Sequence, residues 1–294
     1  MSLFSLLYLR CSAQTRGLVA INLAAVIFGT AALYGKLEVS PFWITAMRAG
    51  FAVLALALIG GLSRTLVQLP ARDWRILVTS GCLLAIHWVT FFMSVQLSGI
   101  AIATLTFATF PLFTVIVEAA AQRRLPGSTE LLAGCAIIAA VALLLDPGSS
   151  NNNLAGIGTG LSSAVSYALF WRMTQRLQQP LPPTSVSLCQ NAFVLLLLAP
   201  FLIFATPIPI DITEWLALIG LGVINTAVML MLYLYALKHI SASTCSGFVA
   251  LEPVYAIVFA AWLFNETITP WILVSIGLII GASLILLKTG SPRK

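Results

Sequence analysis

The sequence predicts an all-α polytopic membrane protein, with ten transmembrane helices arranged as two inverted five-helix repeats around a central cavity. Three observations carry that prediction. Hydrophobic residues make up 60 % of the chain and charged residues only 8 %, with a mean hydropathy of +1.03, whereas soluble domains carry about 25 % charge. The apolar residues fall into runs of the roughly 20 that a helix needs to cross the hydrocarbon core. Landmarks in the first half recur about 142 residues later in the second.

The chain opens on MSLFSLLYLRCSAQTR, a tail over residues 1–16. Its apolar run lacks the basic start of a secretory leader and is too short to span. Ten runs follow, bounded by Gly, Pro, Asn and charges, near 17–35, 41–61, 72–96, 99–122, 128–145, 154–172, 184–205, 213–236, 241–264 and 269–287. Tight turns after Leu97 and Lys238 separate the third run from the fourth and the eighth from the ninth. Pro147-Gly148 and the Asn151–Asn153 run mark a linker over 146–153. A first unit therefore occupies 17–145, a second 154–287, and a tail 288–294. Of the five cysteines, Cys82, Cys135, Cys189 and Cys245 lie inside runs without CxxC or metal-ligand spacing, and read as small buried apolar residues.

Basic residues set the orientation. With the amino terminus in the cytoplasm, cytoplasmic segments hold Arg10, Arg16, Arg64, Arg72, Arg75, Arg123, Arg124, Arg172, Arg176, Lys238, Lys288, Arg293 and Lys294. The opposite side holds only Lys36, and Arg48 lies inside a run. Thirteen against one, among 15 Lys and Arg, is the asymmetry that the positive-inside rule reads, so both termini are expected in the cytoplasm. The net charge of +6 comes from the same loops and calls for no nucleic acid.

The segments TLTFATFPLFTVIVEAAAQRR (104–124) and SGFVALEPVYAIVFAAWLFNE (246–266) each carry a proline inside an apolar run, and Pro111 and Pro253 stand 142 residues apart. Pro41 with Pro183, Arg48 with Gln190 and Phe51 with Phe193 share that offset. Trp74 with Trp215 and Gly81 with Gly222 share 141, and one gap reconciles the two. Five spans per unit is an odd number, so the second unit enters from the opposite face, about a pseudo-two-fold axis in the membrane plane. Such folds place substrates at the repeat interface near the midplane.

Arranged this way, the residues resemble the drug/metabolite transporter superfamily, specifically its ten-helix proteins with two tandem EamA-type repeats. The aromatic-small pair in the first helix of each half is similar to Phe28-Gly29 and Tyr167-Ala168, and the Arg near the start of the second helix is similar to Arg48 in ITAMRAGF. ALKHISASTCSGFVALEPVYAIVFAAWLFNE resembles the "LEPV…E" pattern and its preceding turn almost throughout. The halves depart from each other at two of these places: Phe110 stands opposite Glu252, and Arg124 opposite Glu266. The resemblance, closest to bacterial aromatic amino acid exporters, implies a polytopic inner-membrane exporter of small metabolites, commonly amino acids.

Within the runs, polar and aromatic residues are the candidates for substrate binding. A carboxylate at the bilayer centre costs about 2.5–3.5 kcal/mol on insertion scales, so Glu252 requires solvent, a partner or a proton. It is a candidate cavity-facing residue and proton carrier; the alternative is a neutral, hydrogen-bonded side chain beside a kink. Pro111 and Pro253 each remove an intrahelical donor, and matching interruptions in two halves point to the binding region as gating kinks. Static kinks would leave the same pattern. Arg48 is positioned to bind a substrate carboxylate, to hold a helix end, or to snorkel outward; with the interface within reach, a structural role is favoured. His87, Thr90, Phe91 and Ser94 recur at helical spacing as one partly polar face, with Trp88 beside it. Tyr167 and Trp171, four apart, form either an aromatic face toward the cavity or part of an interfacial belt next to Arg172. Asn22, Gln190, Asn191 and Asn225 should point into the bundle. The GxxxG spacings Gly156/Gly160 and Gly277/Gly281 read as close helix contacts, and a monomer is expected.

These features favour a secondary transporter working by alternating access, and the resemblance implies that it exports small amphiphilic metabolites, aromatic and other neutral amino acids foremost. Export of cationic drugs or nucleotide sugars is the alternative. No GxxxxGK[ST] pattern exists for ATP, and HExxH is absent, with only two His, which disfavours a membrane-embedded enzyme, a metal site or a cofactor. No charged ring or filter-like run suggests a channel.

Overall fold

The computed structural model describes residues 12–144, 152–177 and 181–289. Most of the amino-terminal tail, the linker core at 146–151 and the end of the carboxy-terminal tail lie outside the described residues. Among the described residues the chain is helical, without strands. The helices are α1 (Ala13–Thr30, tightening into a 3-10 turn over Ala31–Lys36), α2 (Pro41–Leu62), α3 (Trp74–Phe107), α4 (Phe110–Ala121), α5 (Ser128–Ala142) and α6 (Asn152–Thr174). They continue with α7 (Pro183–Leu198), α8 (Ile212–Gly222), a π turn over Val223–Val228, α9 (Met229–Leu237), α10 (Ala242–Val249), α11 (Glu252–Phe264) and α12 (Pro270–Thr289). Among the described residues seven helical stretches are long and apolar enough to cross a membrane, and three shorter apolar helices, within 110–121, 128–142 and 270–286, accompany them. Each of the ten runs read from the sequence contains helix among the described residues.

Local chemistry sets the boundaries. Ser12 accepts the Thr15 N–H at 3.1 Å to start α1. Pro41 and Pro183 open α2 and α7, where a missing N–H costs no hydrogen bond. Glu214 accepts the Ile210 and Asp211 N–H groups at 2.8 and 3.2 Å at the head of α8. Within α3 the backbone turns at Gly99, whose φ of 84° favours a residue without Cβ. The chain reverses there. The rings of His87 and Phe107 lie 4.9 Å apart, whereas twenty residues of straight helix would separate them by about 30 Å. The turn expected after Leu97 is therefore a fold-back made by one glycine.

Packing between helices follows the repeat. α2 lies against α7 and α5 against α12, each helix meeting its own counterpart. The contact of α3 with α7 is mirrored by that of α8 with α2, and the contact of α3 and α4 with α6 by that of α9 and α11 with α1. Glycines show the exchange at atomic scale. A methyl group added at Gly81 would stand 2.6 Å from Phe193 Cβ and 3.1 Å from the Gln190 carbonyl oxygen. One added at Gly222 would stand 2.5 Å from Phe51 Cβ and 2.7 Å from the Arg48 carbonyl oxygen. The landmarks that matched in sequence thus touch in reciprocal pairs, which an exchange of the two halves requires and a chance likeness does not.

Several expectations about single residues change. Gly156 and Gly160 do pack closely, against Ser98 and Thr106, but Gly277 and Gly281 face no other part of the chain within 4 Å. Cys189 and Cys245 are buried as expected; Cys135 is exposed and Cys82 only partly covered. Two cavities, of about 280 and 200 Å³, lie at the Lys36 end, around Glu38, Gln96 and Pro207 and around Phe42 and Met93.

Candidate functional site

The prolines do more than kink their helices. α3 stops at Phe107 and a new helix starts at Phe110, with Pro111 in its first turn; α10 stops at Val249 and a new helix starts at Glu252, with Pro253 in its first turn. Each proline begins a half-helix at a position where its missing N–H is harmless. Two half-helix N-termini, with their partial positive charge, therefore stand at equivalent places in the two units.

Glu252 is the first residue of its half-helix and is buried. The helix dipole favours a negative charge there by roughly 0.3–2 kcal/mol. That is less than the roughly 2.5–3.5 kcal/mol it costs to hold a carboxylate in a membrane helix. The placement eases the burial without cancelling it. Gly29 packs against this turn: a methyl group there would stand 2.7 Å from Tyr255 Cβ and 3.1 Å from the Glu252 carbonyl oxygen.

Arg48 does not snorkel; it is 3 % exposed. Its Nε–H donates to Thr226 Oγ1 at 3.0 Å, and its guanidinium carbon lies 4.1 Å from the centre of the Trp88 ring. A desolvated cation–π contact contributes about 2 kcal/mol and a hydrogen bond to a charged group about 1.5–3 kcal/mol. Together they offset most of the burial cost. Thr226 lies in the π turn, a feature that re-aims side chains and frequents functional sites. Its neighbour Asn225 donates through Nδ2 to the Ile27 carbonyl and to Thr30 Oγ1, the latter at 2.8 Å. Arg48 is thereby tied through the π turn to the same stretch of α1 that abuts Glu252.

Around the first half-helix the chemistry is aromatic. His87 Nδ1 lies 2.7 Å from Ser163 Oγ and 3.2 Å from the Ser163 carbonyl oxygen, so the Nδ1–H tautomer donates to both. Its ring stacks obliquely at 4.8 Å on Tyr167 and 4.9 Å on Phe107. Phe110 completes the group, 5.2 Å from Tyr167 and 5.5 Å from Phe107, with Phe91 and Phe170 at the margins. Each such pair contributes about 0.5–1.5 kcal/mol beyond burial.

Of the residues singled out in sequence, His87, Trp88, Phe91, Tyr167, Arg48, Asn225 and Glu252 converge on this region. Trp171 does not: it is 43 % exposed, which fits the interfacial reading rather than the cavity one. Asn191 is buried, but Nδ2 donates to its own helix at Ser187. Thr90 likewise turns its hydroxyl to the Ile86 carbonyl of its own helix. Sequence reasoning missed Phe107, Ser163 and Thr226. Phe107 becomes a neighbour of His87 only through the reversal at Gly99, and a lone Ser or Thr in an apolar run carries no marker of its partner.

The Lys36 end of the bundle carries a polar clasp between the two units. Lys36 Nζ pairs with Glu266 Oε1 at 2.7 Å, and the Glu266 carboxylate accepts the Ile100 N–H at 3.1 Å just beyond the Gly99 turn. In the first unit the position matching Glu266 is Arg124, which pairs instead with Glu130, at 2.7 and 2.9 Å, inside its own half. Among the described residues no group of three or more His, Cys, Asp or Glu could hold a metal.

Two inverted-type units, broken helices at their interface and polar side chains buried there define a polytopic membrane transporter architecture. The family comparison agrees: the profile of the EamA-like transporter family matches residues 15–146 and 154–288, one match per unit, and the chain belongs to that family. It is 23 % identical over 252 residues to the uncharacterized transporter YxxF of Bacillus subtilis, covering 83 % of this chain and 81 % of that one. It is 24 % identical over 271 residues to an uncharacterized transporter of Archaeoglobus fulgidus, covering 90 % and 93 %. A solved structure described as "Crystal structure of protein" shares the fold with a TM-score of 0.64 at 19 % identity, covering 96 % of this chain and 99 % of that one.

Proposed function

We propose that this transporter exports small amphiphilic metabolites, aromatic and other neutral amino acids foremost, across a bacterial inner membrane. The observation that carries this reading is the ring cluster of His87, Phe107, Phe110 and Tyr167 at one half-helix start, with Arg48 and Glu252 beside the other. Planar rings offer stacking faces to an aromatic side chain, and the two charges offer polar anchors. In this reading the chain crosses ten times, both termini are cytoplasmic, and the protein works as a monomer without cofactor. The units rock about the half-helix starts, so that the site meets each side in turn. The Lys36–Glu266 clasp then closes the outer end, and its separation is part of opening.

Counterflow in proteoliposomes tests the reading. Vesicles loaded with unlabelled phenylalanine should accumulate labelled phenylalanine or tryptophan, with neutral amino acids competing and nucleotide sugars and organic cations failing to compete. No exchange of any amino acid would reject the substrate class and leave family membership standing.

A further inference from the structure

Arg48 and Glu252 share a property that packing does not account for. They are 97 % and 93 % buried, yet each keeps polar atoms without a partner among the described residues. Arg48 uses Nε alone, leaving the four N–H donors of Nη1 and Nη2 without an acceptor, and the Glu252 carboxylate accepts no hydrogen bond. Among the described residues they form no ion pair with each other. Both lie around one short stretch of α1: Arg48 through Thr226 and its neighbour Asn225, which holds Ile27 and Thr30, and Glu252 through its contact with Gly29. Asn225 Oδ1, sealed from solvent, is left without a partner in the same place. The Arg48 Nη groups and the Glu252 oxygens are not among the sealed, unpartnered atoms, so they stay reachable within an otherwise buried region. Ionisable groups held this way inside a membrane bundle mark a substrate path.

We propose that Arg48 and Glu252 are the two poles of a zwitterion site: the Arg48 Nη groups take the substrate carboxylate and the Glu252 carboxylate takes its ammonium group. This rests on the amino-acid reading above and deepens it. A carboxylate fits the fork of a guanidinium with two parallel hydrogen bonds. An ammonium group satisfies the Glu252 oxygens and is held further by the negative faces of nearby rings. A molecule carrying both charges neutralises both poles together. One that carries a single charge leaves the opposite buried pole unpaired, at a cost in binding. Selectivity for zwitterions over amines and acids of the same ring follows.

The experiment compares counterflow of phenylalanine, phenethylamine and 3-phenylpropionate by the full chain in proteoliposomes. The wild type should exchange phenylalanine at least ten times faster than either analogue. Arg48→Gln should lose phenylalanine exchange at least tenfold and gain phenethylamine, and Glu252→Gln should lose it similarly and gain 3-phenylpropionate. Reciprocal gains cannot come from a general loss of structure. Equal exchange of all three by the wild type would overturn the zwitterion site and leave the transport reading intact. Exchange of none would overturn both. If either variant does not fold, the wild-type preference among the three compounds decides alone.

Discussion

Thr109-Phe110-Pro111 and Leu251-Glu252-Pro253 are the same piece of backbone twice. Each ends one helix, turns, and starts another with a proline in its first turn. Yet one presents a phenyl ring to an aromatic group and the other carries a buried glutamate whose backbone packs on Gly29 of α1. Duplication has preserved what the backbone needs, the prolines and the closely packed glycines, and let the side chain between them diverge. The fold is therefore symmetric where the site is not. A small asymmetric substrate, apolar at one end and charged at the other, is the kind of ligand that such a pair of half-helix starts can receive.

The widest break in that comparison comes from the glycines that hold the halves together. Gly222→Leu drives a side chain into Phe51 and the Arg48 carbonyl, and Gly81→Leu does the same at Phe193 and Gln190. Even one or two surplus methylenes in a packed core cost about 1–3 kcal/mol, and here backbone is in the way. Both variants should fall to little or no monodisperse protein by size exclusion, and equally so if the halves are equivalent. Gly158→Leu, with nothing within 4 Å, should fold normally.

Next come the divergent residues. Glu252→Gln should leave the melting temperature within a few degrees of the wild type while lowering phenylalanine counterflow at least tenfold. Phe110→Leu, its counterpart, should raise the half-saturating concentration a few-fold and leave the maximal rate nearly unchanged. Equal effects from the two would argue that the site is as symmetric as the fold.

The clasp separates the units more gently. Glu266→Gln removes the pairing with Lys36 and weakens the bonds to the Ile100 and Ala101 N–H groups, which should cost about 1–3 kcal/mol in thermal unfolding. Arg124→Gln, at the matching place in the first unit, breaks an ion pair within one half and should change stability much less, with the difference shrinking at high salt. The smallest effect belongs to Trp171→Leu, which should leave both stability and counterflow unchanged, because the ring lies outside the cluster.

Much of the fold was legible because bilayer physics leaves few choices: apolar run length marked the helices, and the shared offsets of Phe51/Phe193 and Gly81/Gly222 marked the two halves as copies, though not which helices would meet. The site was legible in part. Glu252, Arg48, His87 and Tyr167 stood out because polar or amphipathic groups are rare and costly in such runs. Their partners did not stand out. Ser163 meets His87, and Thr226 meets Arg48, across 76 and 178 residues of chain, and neither spacing leaves a trace in local periodicity. Trp171 shows the converse. An aromatic four residues from Tyr167 shares its helix face in projection, yet burial and not spacing decides membership.

Opposite insertion of the two units is the claim on which the rest stands, and matched loops test it directly. Gln68, between α2 and α3, and Ile210, before α8, occupy equivalent places 142 residues apart, and both are exposed. Cysteines introduced singly at these positions, in a background with the five native cysteines replaced, can be treated with a membrane-impermeant maleimide. Ile210→Cys should be modified in intact cells and Gln68→Cys only after permeabilisation. Modification of both from the same side would contradict the account.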